Sequence, residues 1–369
     1  MSFWDFIGIF FVGLIIFTAV YEFFRFYRIQ PKQKYRDLEI RILTQNIRFD
    51  NVEHPSAGER SWADRKVSLI NSLDFNTRGE NSIICLQEVL HHQLIDILAG
   101  LNNNNPPDRQ FAYYGIGRDD GDLAGEFAPI LYRRCEWSIQ QTKTYWLSDT
   151  PSIPSKGWDG ALPRIVTILV LKSTINPLIT IRIFNTHFDH HGTLARINSS
   201  KFIVDKFLSS PNTSYDTSYN NSDNNSNNDN NDYNEYYDFS NVPSFLCGDL
   251  NSEPNDEPYQ ILADSGLKDS QQLVNKNFAY GYKTTFTGFT KHDDNPDQSR
   301  TIDYIWSSPA SRKFLQDTWP AYQIYLRQFA IPTNYLNGFR FSDHRPVIAT
   351  YYINKNPLFQ SSKSKHSRN

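Results

Sequence analysis

The sequence predicts a mixed α/β protein in which two β-sheets face each other and helices lie outside. Three observations carry this expectation. Early in the chain, apolar strand-like runs alternate with stretches of helical periodicity. In the middle, four strand-like runs follow one another without a helix, which favours antiparallel pairing. Strands then resume late in the chain, after one helix and a polar insert.

The elements follow in order. Phe6 to Tyr21 is a run of sixteen uncharged residues, and widening it to residues 3–24 admits only Asp5 and Glu22. A membrane-spanning helix needs about 20 apolar residues, so residues 1–24 are expected to form a transmembrane anchor. No Lys or Arg precedes the run and large aromatics follow it, which disfavours a cleaved signal peptide. Residues 25–37 form a basic linker carrying Arg25, Arg28, Lys32, Lys34 and Arg36. Positive charge stays on the cytoplasmic side, so a single-pass, membrane-anchored protein with a cytosolic main domain is expected.

The main domain should span 38–355. A strand begins at Leu38, with Leu43, Gln45, Ile47 and Phe49 on alternating positions. Trp62, Val67, Ile70 and Leu73 recur at helical spacing. Residues 82–87 form a compact apolar strand that ends at Glu88, and a second helix is expected at 91–101. The central strands fall at 111–114, 128–132, 165–171 and 179–185, followed by a helix at 194–207. The last strands fall at 242–247, 302–306 and 347–352. Between the last helix and these strands, residues 211–240 hold ten Asn and five Tyr but no Leu, Ile, Val or Met. Such a stretch cannot bury enough apolar surface to order itself, so a disordered insert is expected there. Residues 356–369 form a basic tail.

Composition sets bounds on function. A net charge of −3 gives no global basic signature for nucleic acid, although a neutral mean is compatible with a basic groove. The three cysteines are odd in number and lack framework spacing, which argues against a disulfide-built secreted domain. Cys85 and Cys247 sit in apolar runs and are expected to be core thiols. Asn198, Asn212, Asn220 and Asn224 head Asn-x-Ser/Thr triplets, a weak signal inside an Asn-rich chain.

The chemistry is carried by short peptides at strand ends. Ser342-Asp343-His344 and Gly248-Asp249-Leu250-Asn251 each place a carboxylate beside a second polar group, and Thr301-Ile302-Asp303-Tyr304 lies between them. Side chains alternate along a strand, so Asp249 and Asn251 are expected to point into one site. Carboxylates, an amide and an imidazole gathered this way are what metal-assisted attack on a phosphate ester needs. A carboxylate such as Glu88 at the end of a buried strand needs a partner, and a divalent cation is one.

Thr44-Gln45-Asn46, Leu86-Gln87-Glu88, Asn185-Thr186-His187, Gly248-Asp249-Leu250-Asn251, Ile302-Asp303-Tyr304 and Ser342-Asp343-His344 occur in that order. Across residues 38–355 the chain resembles the endonuclease/exonuclease/phosphatase superfamily. The resemblance implies a four-layer α/β/β/α sandwich of two mixed, mainly antiparallel sheets, with the site at one rim. It makes Glu88 the principal metal ligand, places Asn46 in the outer shell of the metal, and brings Asp343 near it. It pairs Asp303 with His344, assigns Asp249 to the attacking water, and sets Asn251 and His187 on phosphate oxygens. The implied cofactor is Mg²⁺, with Mn²⁺ as an alternative.

Arg118, Trp158 and Arg164 lie in loop-rich stretches and are candidates for substrate binding: Arg offers a planar fork to phosphate, and Trp a stacking face. Asp189, His190 and His191 offer a weaker second metal site. Tyr132 and Tyr145 are the candidates for the mid-chain tyrosine of the family's nucleases. There is no Pro-Ser-Trp-Thr-Asp-Arg peptide of inositol phosphatase type. The motif style is nearest the exonuclease III-like and deadenylase-like branches. The function expected is therefore Mg²⁺-dependent hydrolysis of RNA or DNA phosphodiesters in the manner of a 3′–5′ exonuclease. A phospholipase C-type reaction on membrane sphingolipid is the alternative, and no obligate protein partner is indicated. A non-catalytic scaffold is disfavoured, because each of the six peptides keeps its polar residue.

Overall fold

The alternation of β1 (Leu38–Asn46) decides the layering: Ile40 and Ile42 face a second sheet, whereas Leu43 faces helices. The structure, a computed structural model, describes residues 37–79, 81–103, 105–208, 242–289, 299–309 and 322–355. The expected anchor at 1–24, all but Asp37 of the 25–37 linker, the 211–240 insert and the 356–369 tail lie outside the described residues. Among the described residues no helix is long and apolar enough to cross a membrane.

After β1 come α1 (Trp62–Thr77), β2 (Ser82–Gln87), α2 (His91–Asn102), β3 (Phe111–Tyr114), β4 (Ile130–Arg133), β5 (Trp137–Trp146), β6 (Ile165–Ser173) and β7 (Thr180–His187). The second half adds α3 (Thr193–Leu208), β8 (Ser244–Asp249), α4 (Glu257–Asp264), β9 (Lys268–Asp269), α5 (Ser270–Leu273) and β10 (Ala279–Gly281). It ends with β11 (Asp303–Ser307), β12 (Tyr322–Ile331), the hairpin β13 (Tyr335–Leu336) and β14 (Phe339–Arg340), and β15 (Val347–Lys355). One sheet has the order β10-β12-β15-β1-β2-β4-β3, the other β5-β6-β7-β8-β11-β9.

Three apolar clusters make the sandwich. Ile40, Ile42, Ile83 and Cys85 meet Leu171, Ile181, Ile183, Phe245, Cys247 and Ile305 between the sheets. Leu43, Ile84 and Leu86 face Leu69, Leu73, Leu94 and Ile97 of α1 and α2. Phe184, Leu246 and Trp306 face Ile203 of α3 and Tyr259 and Leu262 of α4. Each fully buried Leu or Ile contributes roughly 1.5–3 kcal/mol. Ser61 caps α1 by accepting the Asp64 N–H, which fixes where the helix starts beneath the sheet.

The expected strands and helices are present, with ends shifted by a few residues. Two long strands, β5 and β12, and helix α4 went unanticipated. β5 is an edge strand whose middle is polar and exposed, without a clear apolar period, whereas β12 packs Ile324, Leu326, Phe329 and Ile331 on the core but loses its alternation at the register shift between Leu326 and Gln328. Cys85 and Cys247 are buried free thiols as expected, and Cys135 is exposed.

Candidate active site

Parallel pairing sets one wall on each sheet. β1 runs parallel to β2 with Asn46 opposite Gln87, and β7 runs parallel to β8 with His187 opposite Asp249. Their carboxyl ends therefore deliver Asn46, Glu88, His187 and Asp249 to one rim. The antiparallel neighbours contribute their amino ends: Asp303 opens β11 opposite Asp249, and Asp343 and His344 lead into β15 beside β1.

Just beneath the rim the inward-facing positions turn polar. Gln87 Nε2 donates to Thr44 Oγ1 at 3.0 Å and across the sandwich to Asn185 Oδ1 at 2.6 Å. Asn185 Nδ2 returns to the carbonyls of Leu86 and Pro129 at 2.8 and 2.9 Å. Paired buried amides of this kind hold the two sheets in one register under the site.

The backbone is forced at the same rim. Arg48, Glu88 and Asn251 have φ of 60°, 57° and 44°, a region non-glycine residues rarely occupy. Gly248 has φ of 144°, and a Cβ there would lie 2.0 Å from the Thr186 carbonyl oxygen. Only glycine lets β8 come this close to β7. Asn251 reaches the site by this turn rather than by strand alternation, with its N–H on Asp249 Oδ1 at 2.8 Å.

The side chains line a cleft of about 720 Å³. Asp249 Oδ2 is its hub: Asn46 Nδ2 donates to it at 3.1 Å, and His187 Nε2 and His344 Nε2 lie 3.5 and 3.7 Å away. His344 Nδ1 is 2.8 Å from Asp303 Oδ2. Thr285 aligns that pair, because its hydroxyl accepts the N–H of Ile302 and Asp303 while its carbonyl accepts the N–H of Arg345. Phe286 sets its ring edge-on to the His344 ring, with centroids 5.0 Å apart.

Charge separates the two imidazoles. Burial would lower His344, but the charge and hydrogen bond of Asp303, with Asp249 and Asp343, outweigh it and push His344 up to about 10. Burial and the nearby Arg164 guanidinium push His187 down to about 3, so its ring is neutral. Asn251 Nδ2 donates to His187 Nε2 at 3.1 Å, which places the ring proton on Nδ1, a buried atom that makes no hydrogen bond among the described residues and lies 3.8 Å from Glu126 Oε2. Burial, reinforced by Asp303, raises Asp249.

The donor set fits a hard divalent cation. Glu88 and Asp343 both line the cleft; burial raises Asp343, and the Glu88 charge adds to that. Burial and Glu126 push Glu88 up, yet His187, Arg48 and the Asn46 amide together hold it below its ordinary value. Glu88 Oε2 accepts the Phe49 N–H at 3.2 Å, and Arg48 Nη1 stands 4.0 Å from it. Oxygen ligands of this kind suit Mg²⁺. Asp249, Asp303 and His344 form a tighter cluster, with atoms within 4.8 Å of one another. His344 is committed to Asp303 and protonated, so that cluster suits proton handling rather than ligation. Asn46 lies behind the cleft wall, its Nδ2 on Glu88 at 2.9 Å and its Oδ1 taking the Arg48 N–H, and so orients Glu88 and Asp249 from behind.

The expected substrate residues divide. Arg118 and Arg164 line the cleft. Trp158 does not: it packs with the cluster beneath α3 and α4 and donates to Asp149 at 3.1 Å. Its neighbour Asp159 accepts the N–H of Leu194 and Ala195 at the start of α3. The weaker metal site also dissolves. Asp189 accepts four backbone N–H groups, from Ala161, Leu162, His191 and Gly192, and His190 pairs with Arg164. Tyr132 is buried between the sheets and Tyr145 packs beside Phe202, so neither reaches the cleft.

The sequence pattern of the Endonuclease/Exonuclease/phosphatase family matches residues 43–344. The chain belongs to this family. Members are phosphoester hydrolases, and so is this enzyme. An Endonuclease/Exonuclease/phosphatase family protein from Bacteroides thetaiotaomicron superposes with a TM-score of 0.67 at 25% identity, over 86% of this chain and 99% of that one. A mannosyl-6-phosphatase from the same organism gives 0.65 and 25%, over 85% and 99%. The human Nocturnin catalytic domain with bound sulfate gives 0.53 and 15%, over 86% and 97%, a likeness of fold. No curated protein matches the chain.

Within this family site, sequence reasoning gave no role to Glu126, which grips Arg118 with two bonds of 2.8 Å, and passed over Arg48, Arg300 and Phe286. The glycine-bounded loop from Gly117 was the available signal for Glu126. Gly117 lets the loop fold back on Ala124, whose carbonyl would lie 2.2 Å from a Cβ. The fold brings Phe286 to the cleft from a segment with no motif of its own, and Arg300 from the position just before Thr301-Ile302-Asp303.

Proposed function

We propose that this chain is a Mg²⁺-dependent hydrolase that cleaves phosphate esters of sugar units by in-line attack of water on phosphorus. The observation that carries the reading is the convergence on Asp249 Oδ2 of Asn46, His187 and His344 within 3.1–3.7 Å. Glu88 and Asp343 would hold the ion, which supplies Lewis-acid stabilisation of the phosphoryl oxygens. Asp249, made more basic by burial, orients the attacking water and takes its proton. Neutral His187 offers Nδ1–H to a phosphate oxygen, and the Asn251 amide stands beside it. Protonated His344, steadied by Asp303 and 3.7 Å from Asp249, stabilises the charge that develops on the phosphoryl oxygens.

Nucleic acid is one source of such an ester, with the terminal nucleotide in the cleft; a volume of about 720 Å³ suits a single unit. A sugar phosphate is the second, favoured by the likeness to the mannosyl-6-phosphatase over almost all of that protein. The test is an assay of the purified full chain on single-stranded RNA, sphingomyelin and mannose 6-phosphate, with Mg²⁺ and with EDTA. Metal-dependent release of mononucleotides or of inorganic phosphate supports the reading, and absence of any metal-dependent turnover overturns it. Residues 1–24 are proposed to tether the domain to a membrane with its carboxyl terminus cytosolic, on the strength of sequence. Protection of the carboxyl terminus from protease in sealed membranes would contradict that side.

A further inference from the structure

We propose that Arg164 and Arg118 form a pocket for the second charge and third free oxygen of a terminal phosphate, making this enzyme a phosphomonoesterase. The inference rests on the hydrolase reading above and narrows its substrate. Arg164 is only 5% exposed, lines the cleft, and leaves its Nε and Nη1 hydrogens without a protein partner. Its Nη2 is anchored on His190 Nδ1 at 3.1 Å. Asp189 approaches its Nε to 3.6 Å, but that carboxylate already accepts four backbone N–H groups. The guanidinium is thus held in place with its charge only partly met. A buried arginine on a cleft wall, with two nitrogens that make no hydrogen bond among the described residues, is suited to an anion that arrives from outside.

Two neighbours extend the wall. Arg118 is 7% exposed and locked by the bidentate bond to Glu126, with its carbonyl held by Trp146 Nε1 at 2.7 Å. Its Nε makes no hydrogen bond among the described residues and lies 3.8 Å from Asp119 Oδ1. His187 contributes its Nδ1–H, which likewise makes no hydrogen bond there and lies 3.8 Å from Glu126 Oε2. Donors therefore outnumber what a phosphodiester requires. A diester has two free oxygens and one charge: the metal side takes one oxygen, and His187, held by Asn251, the other. A monoester adds a third oxygen and a second charge, and the planar fork of Arg164 matches both. In the reaction, water and a phosphate monoester dianion give an alcohol and inorganic phosphate. The water oxygen bonds to phosphorus as the bond to the alcohol oxygen breaks. One proton passes from water to Asp249, beside which His344 stands at 3.7 Å, and the departing alcohol oxygen takes its proton from solvent water.

The experiment compares p-nitrophenyl phosphate with bis(p-nitrophenyl) phosphate, using the full chain with Mg²⁺, its Glu88→Ala form, Arg164→Gln and Arg164→Lys. The wild type should prefer the monoester. Arg164→Gln should lower the monoester-to-diester ratio of kcat/KM by roughly tenfold to a hundredfold, the worth of charge-assisted hydrogen bonds. Arg164→Lys should recover part of the ratio, and inhibition by inorganic phosphate should weaken in parallel with it. A ratio cancels any loss of folded protein. An unchanged ratio in Arg164→Gln overturns the proposal. So does a wild type that cleaves only the diester in a Glu88-dependent way, which leaves the hydrolase reading standing. A wild type that cleaves neither ester with metal overturns both.

Discussion

Replacing Asp303 by asparagine removes one charge from the site and keeps the shape of the side chain. In the wild type, Asp303 Oδ2 and His344 Nδ1 are 2.8 Å apart and both residues are buried. At an effective dielectric constant of about 20, unit charges at that separation interact by about 6 kcal/mol. The net worth of a hydrogen bond to a charged group is smaller, about 1.5–3 kcal/mol. The lower range predicts roughly a tenfold to hundredfold loss in rate and the upper figure about 10⁴-fold. Asp303→Asn should therefore lower kcat by about 10- to 10⁴-fold with a smaller change in KM, as expected for a group that acts through its histidine. Steady-state kinetics at saturating Mg²⁺ measure this, with circular dichroism to confirm folding. Ring titration by NMR in metal-free protein gives a second readout: His344 should fall from about 10 towards its ordinary range. A kcat within fivefold of wild type, or a His344 pKa that stays near 10, would refute the argument.

Glu88→Ala should reduce Mg²⁺-dependent hydrolysis by at least about 10³-fold and abolish the thermal stabilisation by Mg²⁺, which amounts to about 2.7 kcal/mol at a hundredfold excess over Kd; retained stabilisation would move the metal elsewhere. Burial pushes Asp269 up to about 6, above its unfolded value near 3.9, so the folded state holds that proton more tightly. That contribution is complete below pH about 4 and lost as pH rises through about 6. Asparagine can keep the contacts with Gln271 N and Tyr259 Oη, so Asp269→Asn should stabilise the fold by about 1–3 kcal/mol at pH 7.5 and much less at pH 4.5, by urea unfolding. Gly248→Ala puts a methyl group 2.0 Å from the Thr186 oxygen and should cost several kcal/mol, or leave a folded protein with displaced His187 and Asp249 and little activity. A fully stable and active variant would disprove the close approach.

The site was largely legible in the sequence because strand ends carry it. Glu88, Asp249, Asp303 and His344 each follow or precede an apolar run, so their place at a rim follows from local pattern. What local pattern cannot carry is partnership at a distance. Trp158 and Arg164 stand in the same loop-rich stretch, yet one packs under α3 while the other opens onto the cleft. The difference comes from the left-handed backbone at Trp158 and from Asp159, which ties that loop to the start of α3. Asp189-His190-His191 has the composition of a metal site, but four backbone donors converge on Asp189, and only the folded chain reveals them. Strands β5 and β12 were hidden for other reasons: the half-solvated β5 carries no apolar period to read, and a bulge between Leu326 and Gln328 breaks the period of β12.

Splitting the site between two sheets makes catalysis depend on how those sheets stack. Asn46, Glu88, Asp343 and His344 ride on one sheet or its loops, and His187, Asp249 and Asp303 on the other. The contacts of Asp249 Oδ2 with Asn46 and His344 therefore cross the sandwich, whereas its contact with His187 stays within a sheet. An apolar core resists separation of the sheets but is permissive of small sliding, and a displacement of about 1 Å can cost roughly a hundredfold in rate. The Gln87–Asn185 bond of 2.6 Å, directly below the rim, supplies a directional constraint that the aliphatic layers lack. Its polar atoms are costly to bury and would add little to stability over a leucine pair. Their position between the two halves of the site accounts for them: they fix the register on which the Asp249 contacts depend.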